Sequence, residues 1–168
     1  MFYKPLTTIS ILIGVALSLS FKNIWDPALL DWKIIDSKIS TYLIQNNHDN
    51  YVVEFIRSSD KEMFYYEIIE NGIRKGFLVT GKAPSKYNHF DFFVILNLNL
   101  KIEYLDIIKY RENWGYEISN KKWLRQFSKL TDSRLGSKNQ VQAISGATIS
   151  VHSLCSYIDV ILEDLKNI

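Results

Sequence analysis

Met63-Phe64-Tyr65-Tyr66-Glu67-Ile68-Ile69-Glu70-Asn71-Gly72-Ile73-Arg74-Lys75-Gly76-Phe77-Leu78-Val79-Thr80 is the stretch whose reading decides the fold. Asn71-Gly72 is a dipeptide that accepts positive φ at two successive positions, as a two-residue type I′ hairpin turn requires. Aromatic and β-branched residues lie on both sides of it, so the stretch predicts two antiparallel strands, 63–70 and 73–80. Setting Glu70 opposite Ile73 places Tyr66 opposite Phe77 and Phe64 opposite Val79, all on one face.

Working outward, residues 81–88 contain Pro84 and read as a loop. A second hairpin follows, Phe90–Leu96 and Lys101–Tyr110, closed around Asn97 and Asn99. Its second strand carries apolar residues on both faces, which predicts a strand covered on both sides or bulged near Asp106. Upstream, Tyr51–Ile56 is rich in Val and Phe and reads as a strand. Ser37 offers an N-cap for a helix through about Gln45, with Ile39, Tyr42 and Leu43 on one side, and the polar cluster 46–50 ends it. Residues 22–36, with Trp25, Pro27 and Trp32, show no clean period and read as a connector or the beginning of a helix.

From Ser119 the period becomes helical, with Trp123, Phe127 and Leu130 on one face and Lys122, Arg125 and Lys129 on another. The polar run 131–140 returns to a loop. A last helix is predicted over Ser150–Lys166, its apolar stripe made by Val151, Leu154, Ile158, Ile161, Leu162 and Leu165. Strands in the middle and a helix at the end give an α+β chain: a twisted, mainly antiparallel sheet of hairpins with flanking helices and a C-terminal helix.

Composition excludes several functions. The 168 residues suit one ordinary domain, and 47% hydrophobic content argues for a packed core. A formal net charge of +2, without a dense Lys/Arg run, excludes a nucleic-acid-binding surface. The single cysteine, Cys155, rules out an intramolecular disulfide and any Cys-pair metal site. It borders the last helix's apolar stripe and reads as a buried, inert thiol. His48, His89 and His152 are scattered without metal-ligand spacing, and His152 falls off the stripe onto the surface. Ser145 lacks the G-x-S-x-G setting of a hydrolase nucleophile.

At the N-terminus, Lys4 precedes the uncharged run 5–21, which reads as an export signal. As a helix it would reach about 25 Å, short of the ~30 Å hydrocarbon core of a bilayer. Cleavage is therefore favoured over a retained anchor or a buried core helix, and its small-x-small pattern is met at Ala16 and Ser18 or nearly as well at Ser18 and Ser20. Residues 1–21 are thus expected to be a signal peptide or N-terminal membrane anchor, and residues 22–168 the functional domain. The latter is expected to be exported, either periplasmic or anchored and facing outward. No cysteine lies near this segment, which argues against a lipid-anchored lipoprotein.

Chemistry gathers just before the last helix, in Ala143-Ile144-Ser145-Gly146-Ala147-Thr148-Ile149-Ser150. Small residues let a ligand approach the backbone, and the unpaired N–H groups of a helix start favour an anion such as a phosphate. On local pattern alone, a Ser/Gly/Thr turn capping the helix is the favoured reading.

Ser145-Gly146-Ala147-Thr148 resembles the flavinylation motif of the FMN-binding domain family, found in the FMN-carrying subunits of the sodium-translocating NADH:quinone oxidoreductase and of the Rnf electron-transport complex. Gly81-Lys82-Ala83-Pro84, the strand 90–96 and Tyr110-Arg111-Glu112-Asn113-Trp114-Gly115 lie in the family's order, and Lys122-Trp123-Leu124-Arg125-Gln126-Phe127 is similar to a segment of its small members. The resemblance covers about residues 64–155. Two positions depart from the pattern. Gln142 stands six residues before Thr148, where the family usually has an acidic residue. Glu117 stands two after Gly115, where a second glycine is common.

The resemblance implies FMN joined through a phosphoester to Thr148 by a flavin transferase that uses FAD, outside the cytoplasm. It implies an electron carrier or redox subunit, more than a stand-alone enzyme, that works with redox partner proteins. Membrane association would run through residues 5–21. The implied cofactor-binding residues are Ser145, Gly146, Ala147, Thr148, Ile149, Glu112, Gly115 and Trp123. For Glu112, a hydrogen bond to the flavin stands beside a solvated strand-end carboxylate; for Trp123, stacking on the ring stands beside a place in the core. The Lys122, Arg125 and Lys129 stripe reads as a solvated face, with phosphate neutralisation as its alternative. A phosphodiester at Thr148 would keep about one negative charge, which the helix start stabilises by roughly 0.3–1 kcal/mol. The competing function is a non-redox extracytoplasmic binding or interaction module that keeps the fold without flavin.

Overall fold

The computed structural model describes residues 32–46, 51–129 and 141–168. The expected signal or anchor at 1–21, most of the connector at 22–36, Leu130 and the loop at 131–140 lie wholly or largely outside these residues. Helix α1 (Trp32–Gln45) is followed by strands β1 (Tyr51–Ser59), β2 (Met63–Glu70), β3 (Ile73–Pro84), β4 (His89–Asn97) and β5 (Ile102–Lys109). Then come a 3-10 turn at Tyr116–Ser119, the short helix α2 (Lys121–Leu124), a second 3-10 turn at Phe127–Lys129, and the long helix α3 (Thr148–Lys166). The strands form one antiparallel sheet in chain order, β1-β2-β3-β4-β5, so every neighbour is a hairpin partner. The α+β reading holds.

The first hairpin turns where the sequence says, with Asn71 at φ 52 and Gly72 at φ 77, and with Glu70 opposite Ile73. The expected register beyond the turn is wrong by one residue. Lys75 is an extra residue in β3: Ile69 faces Arg74 and Ile68 faces Gly76, so Phe77 lies opposite Glu67 and Val79 opposite Tyr65. The cause sits beside the bulge. A β-carbon on Gly76 would run into the backbone carbonyl of Leu96, so β3 and β4 come together there through a residue with no side chain.

The one-residue shift sorts the side chains. Tyr65, Phe77, Val79, Phe92, Val94 and Leu96 face the buried stripe of α3, where Val151, Leu154, Ile158, Ile161, Leu162 and Leu165 stand as expected. Tyr66, Ile68, Leu78, Phe93 and Ile95 are buried on the opposite face. There α1 packs through Ile35, Ile39 and Leu43, tied by a Lys38–Asp106 ion pair at 2.7 Å and a Tyr42–Tyr104 ring contact at 4.8 Å. The core phenylalanines carry much of this packing, since truncating one to alanine costs about 3–5 kcal/mol.

β5 meets both expectations for an apolar strand. Leu105, Asp106 and Ile107 are all buried, and extra residues at Glu103 and Ile108 bulge the strand on either side of Asp106. Other boundaries move. The loop expected at 81–88 shrinks to 85–88, because Gly81 and Ala83 pair with Phe92 and Phe90 and Pro84 pairs at the strand end with His89. α1 starts at Trp32 instead of Ser37, and β1 runs to Ser59. The helix expected from Ser119 breaks into two 3-10 turns and one short α segment, yet Trp123 and Phe127 are buried together, 5.5 Å apart.

Candidate flavin site

The site is built where the chain leaves β5 and where it enters α3. Segment 141–147 is pinned from inside: Val141, Ile144 and Ala147 are buried, while Gln142, Ser145 and Gly146 stay exposed. The Ala147 N–H donates to the Ile144 carbonyl at 3.2 Å, and Gly146 at φ 79 occupies the third position of that turn. A positive φ there, with Ser145 before it, fits a type II turn, which favours glycine at that place. The four motif residues thus have distinct local tasks: Ser145 and Gly146 turn the chain, Ala147 closes the turn, and Thr148 opens the helix.

α3 starts two residues before the expected Ser150. Its N-cap is Ala147, which supplies no side-chain cap, and no acidic residue lies in the first turn. The capping alternative for the Ser/Gly/Thr run is therefore not what the structure shows. The N–H groups of Thr148, Ile149 and Ser150 have no intrahelical acceptor, and nothing negative in the sequence of the first turn compensates them. Thr148 is exposed. An exposed hydroxyl on an uncapped helix start fits a phosphate ester, whose charge is what the helix end lacks.

The second wall is the 110–115 loop. Gly115 adopts φ 77, and a β-carbon on it would fall 2.5 Å from the Cβ of Ala147. Only glycine allows this approach, which seats the loop directly on the motif. Tyr110 reinforces it, its hydroxyl lying 3.1 Å from the Ser150 Oγ on α3. Arg111 forms an ion pair with the fully buried Asp91 and donates to the His89 carbonyl at 2.9 Å, tying the loop to β4.

Glu112 is not a solvated strand-end carboxylate. It is buried, and its Oε1 accepts from the Ser85 Oγ at 2.5 Å and from the Tyr87 and Asn88 N–H groups at 2.8 and 2.9 Å. These bonds, the Ser85 hydroxyl foremost, hold the carboxyl below its ordinary pKa. Its contribution to the site is to clamp the 85–88 loop onto the 110–115 loop. Trp123 takes the core reading: it is buried against Phe127, and its Nε1 donates to the Gln142 carbonyl at 2.8 Å. The Gln142 N–H donates in turn to the Gln126 Oε1 at 2.9 Å. The Trp123-to-Phe127 segment therefore holds up the irregular segment that leads into the motif. Lys122, Arg125 and Lys129 are exposed, as a solvated face should be. A cleft of about 760 Å³ between α1, β5 and residues 119–128 contains none of the expected cofactor-binding residues.

Residues 87–163 match the family model of the FMN-binding domain. Residues 87–163 belong to the FMN-binding domain family. The matched span opens in the loop clamped by Glu112, carries β4, β5, the 110–115 loop, the Trp123 segment and the Ser145–Thr148 motif, and ends within α3. The matched span thus contains every residue expected to touch the cofactor, while α1, β1, β2 and β3 lie wholly outside it. No curated protein was found to match the chain.

One residue of the FMN-binding domain escapes sequence reasoning. Trp114 is 78% exposed, directly before Gly115. The available signal is a tryptophan set in a polar, non-periodic run between Asn113 and Gly115, where no core position is in reach.

Proposed function

We propose that this chain is an extracytoplasmic electron-transfer protein whose FMN is joined through a phosphoester to the Oγ1 of Thr148. The observation that carries the reading is the seating of Gly115 on Ala147, which leaves the Thr148 hydroxyl exposed at the uncapped start of α3 within an FMN-binding domain. Bound FMN supplies the one- and two-electron chemistry that no side chain here can provide.

The residues of the chain do the rest. Thr148 offers the acceptor oxygen: a flavin transferase forms the bond from this oxygen to the FMN phosphorus of FAD, the pyrophosphate bond breaks, and AMP leaves as the hydroxyl proton is given up. The N–H groups of Thr148, Ile149 and Ser150 stabilise the ester's remaining negative charge. Ser145 and Gly146 keep side-chain bulk away from the attachment point, and Glu112 and Tyr110 fix the facing loop. The carrier needs no small-molecule substrate of its own; it exchanges electrons with redox partner proteins.

Location rests on the N-terminal sequence, in which Lys4 precedes the uncharged run 5–21. Among the described residues no helix is long and apolar enough to cross a membrane. A reporter fused after Ile168 tests this: activity outside the cytoplasm is expected, and activity confined to the cytoplasm overturns the location. Coexpression with a flavin transferase tests the attachment. The purified chain should be yellow and keep its colour after denaturation and desalting, whereas a colourless product would favour the non-redox binding module.

A further inference from the structure

Trp114 is the most exposed large hydrophobic side chain among the described residues. An indole held in water contributes little to the fold, since its apolar surface is stabilising only when covered. Its backbone, in contrast, is tightly held. Two residues before it, Glu112 is locked by three hydrogen bonds, and directly after it Gly115 is pressed onto Ala147. The side chain therefore stands on a rigid base and, among the described residues, makes no ring or cation contact.

Its position relative to the motif is specific. A β-carbon on Gly146 would stand 3.8 Å from the Trp114 Cβ, so the base of the Trp114 side chain lies directly beside the motif glycine. Gly146 is two residues before Thr148. On the far side of Gly115, Tyr116 is 59% exposed, its ring 5.9 Å from that of Tyr110, which reaches Ser150 on α3. Ile149, next to Thr148, is 48% exposed. Trp114, Tyr116 and Ile149 are thus exposed apolar side chains on the two segments that meet where Gly115 rests on Ala147, next to exposed Thr148, and apolar surface of this kind is stabilising only once it is covered.

We infer that Trp114 lies against the face of the isoalloxazine carried at Thr148, and that it is the main aromatic contact of the flavin in this chain. The inference rests on the attachment proposed above. Trp123, the other tryptophan of the domain, is already committed to Phe127 and the Gln142 carbonyl.

The full chain, coexpressed with a flavin transferase, is compared as wild type, Trp114→Phe and Trp114→Ala. Intact mass reports the FMN adduct. Flavin emission, normalised to flavin absorbance, and visible-region circular dichroism report the indole, because a tryptophan in contact with a flavin strongly quenches it. The expected result is an adduct on all three proteins, emission per flavin several-fold higher in Trp114→Ala, an intermediate value in Trp114→Phe, and an altered dichroism band. A merely structural role would change the amount loaded without changing emission per flavin. Equal emission and dichroism in wild type and Trp114→Ala, with the adduct present, overturn this inference and leave the attachment standing. A wild-type chain without adduct overturns the attachment and this inference together.

Discussion

Gly115 rests on Ala147 so closely that a β-carbon on the first would fall 2.5 Å from the β-carbon of the second. Gly72 has the same φ of 77 but nothing within 4 Å of its would-be β-carbon. The pair separates two costs. Gly72→Ala should lose about 1–2 kcal/mol, the left-handed backbone cost alone. Gly115→Ala should lose that and a further ~1–3 kcal/mol of overpacking, and should also load FMN more slowly. Urea titrations of both variants check the difference; equal losses would show that the loop yields and the contact is unimportant.

Glu112 makes acid stability a readout of the clamp. Its carboxyl is held below its ordinary value of 4.5, first by the Ser85 hydroxyl and then by the Tyr87 and Asn88 N–H groups. A depressed folded pKa contributes stability that is fully present above the unfolded value and is lost as pH falls through the folded one. Glu112→Gln should therefore lower the thermal midpoint near neutral pH, with the gap to wild type closing as pH falls below about 4. Melting curves across that range test it, and a gap that stays constant with pH would assign the effect to packing.

Gln142 has both backbone groups engaged, its carbonyl by Trp123 and its N–H by Gln126, while its side chain is exposed. The side chain is thus presented to an enzyme without a structural duty in its segment. Gln142→Asp should raise the initial rate of FMN loading by restoring a charge that can meet a cation in the transferase. Once the ester exists, a nearby carboxylate is mildly repulsive, so the product's thermal midpoint should be unchanged or slightly lower. Equal initial rates at limiting transferase would show that the charge is not needed.

Cys155 is 2% exposed, and burial pushes its thiol from 9.0 up to about 11, with Asp159 adding to the shift. The native chain keeps a proton that the unfolded chain releases, so this group favours folding less as pH rises above 9.0. At mildly alkaline pH a disulfide reagent should leave the native thiol unmodified and titrate it on unfolding. Native reactivity at the unfolded rate would contradict the buried placement.

The parts of this fold that local chemistry dictates were legible. Asn71-Gly72 is the turn it resembles, and the α3 stripe from Val151 to Leu165 is buried as its spacing demands. What misled was non-local. The approach of Leu96 to Gly76 shifts the β2–β3 register past Lys75, and no feature of residues 63–80 alone reports where β4 will lie. Gly81-Lys82-Ala83-Pro84 extends β3 for a similar reason, since its partners Phe90 to Phe92 supply the pairing. At the site, the motif was readable as a run of small residues before a helix. The task of Glu112 was not, because its partners Ser85, Tyr87 and Asn88 are distant in sequence. Trp114 had one signal, its place in a polar run without period, and the extent of its exposure shows only in the fold.

The most direct measurement is the intact mass of the denatured, desalted chain after coexpression with a flavin transferase, for wild type and for Thr148→Ala. Thr148 is exposed at the first position of α3, so its truncation should leave the fold intact, as an unchanged far-ultraviolet spectrum would verify. The expected result is one FMN adduct on the wild-type chain and the bare mass for Thr148→Ala. A bare wild-type chain, or an adduct that persists in Thr148→Ala, would contradict attachment at this hydroxyl.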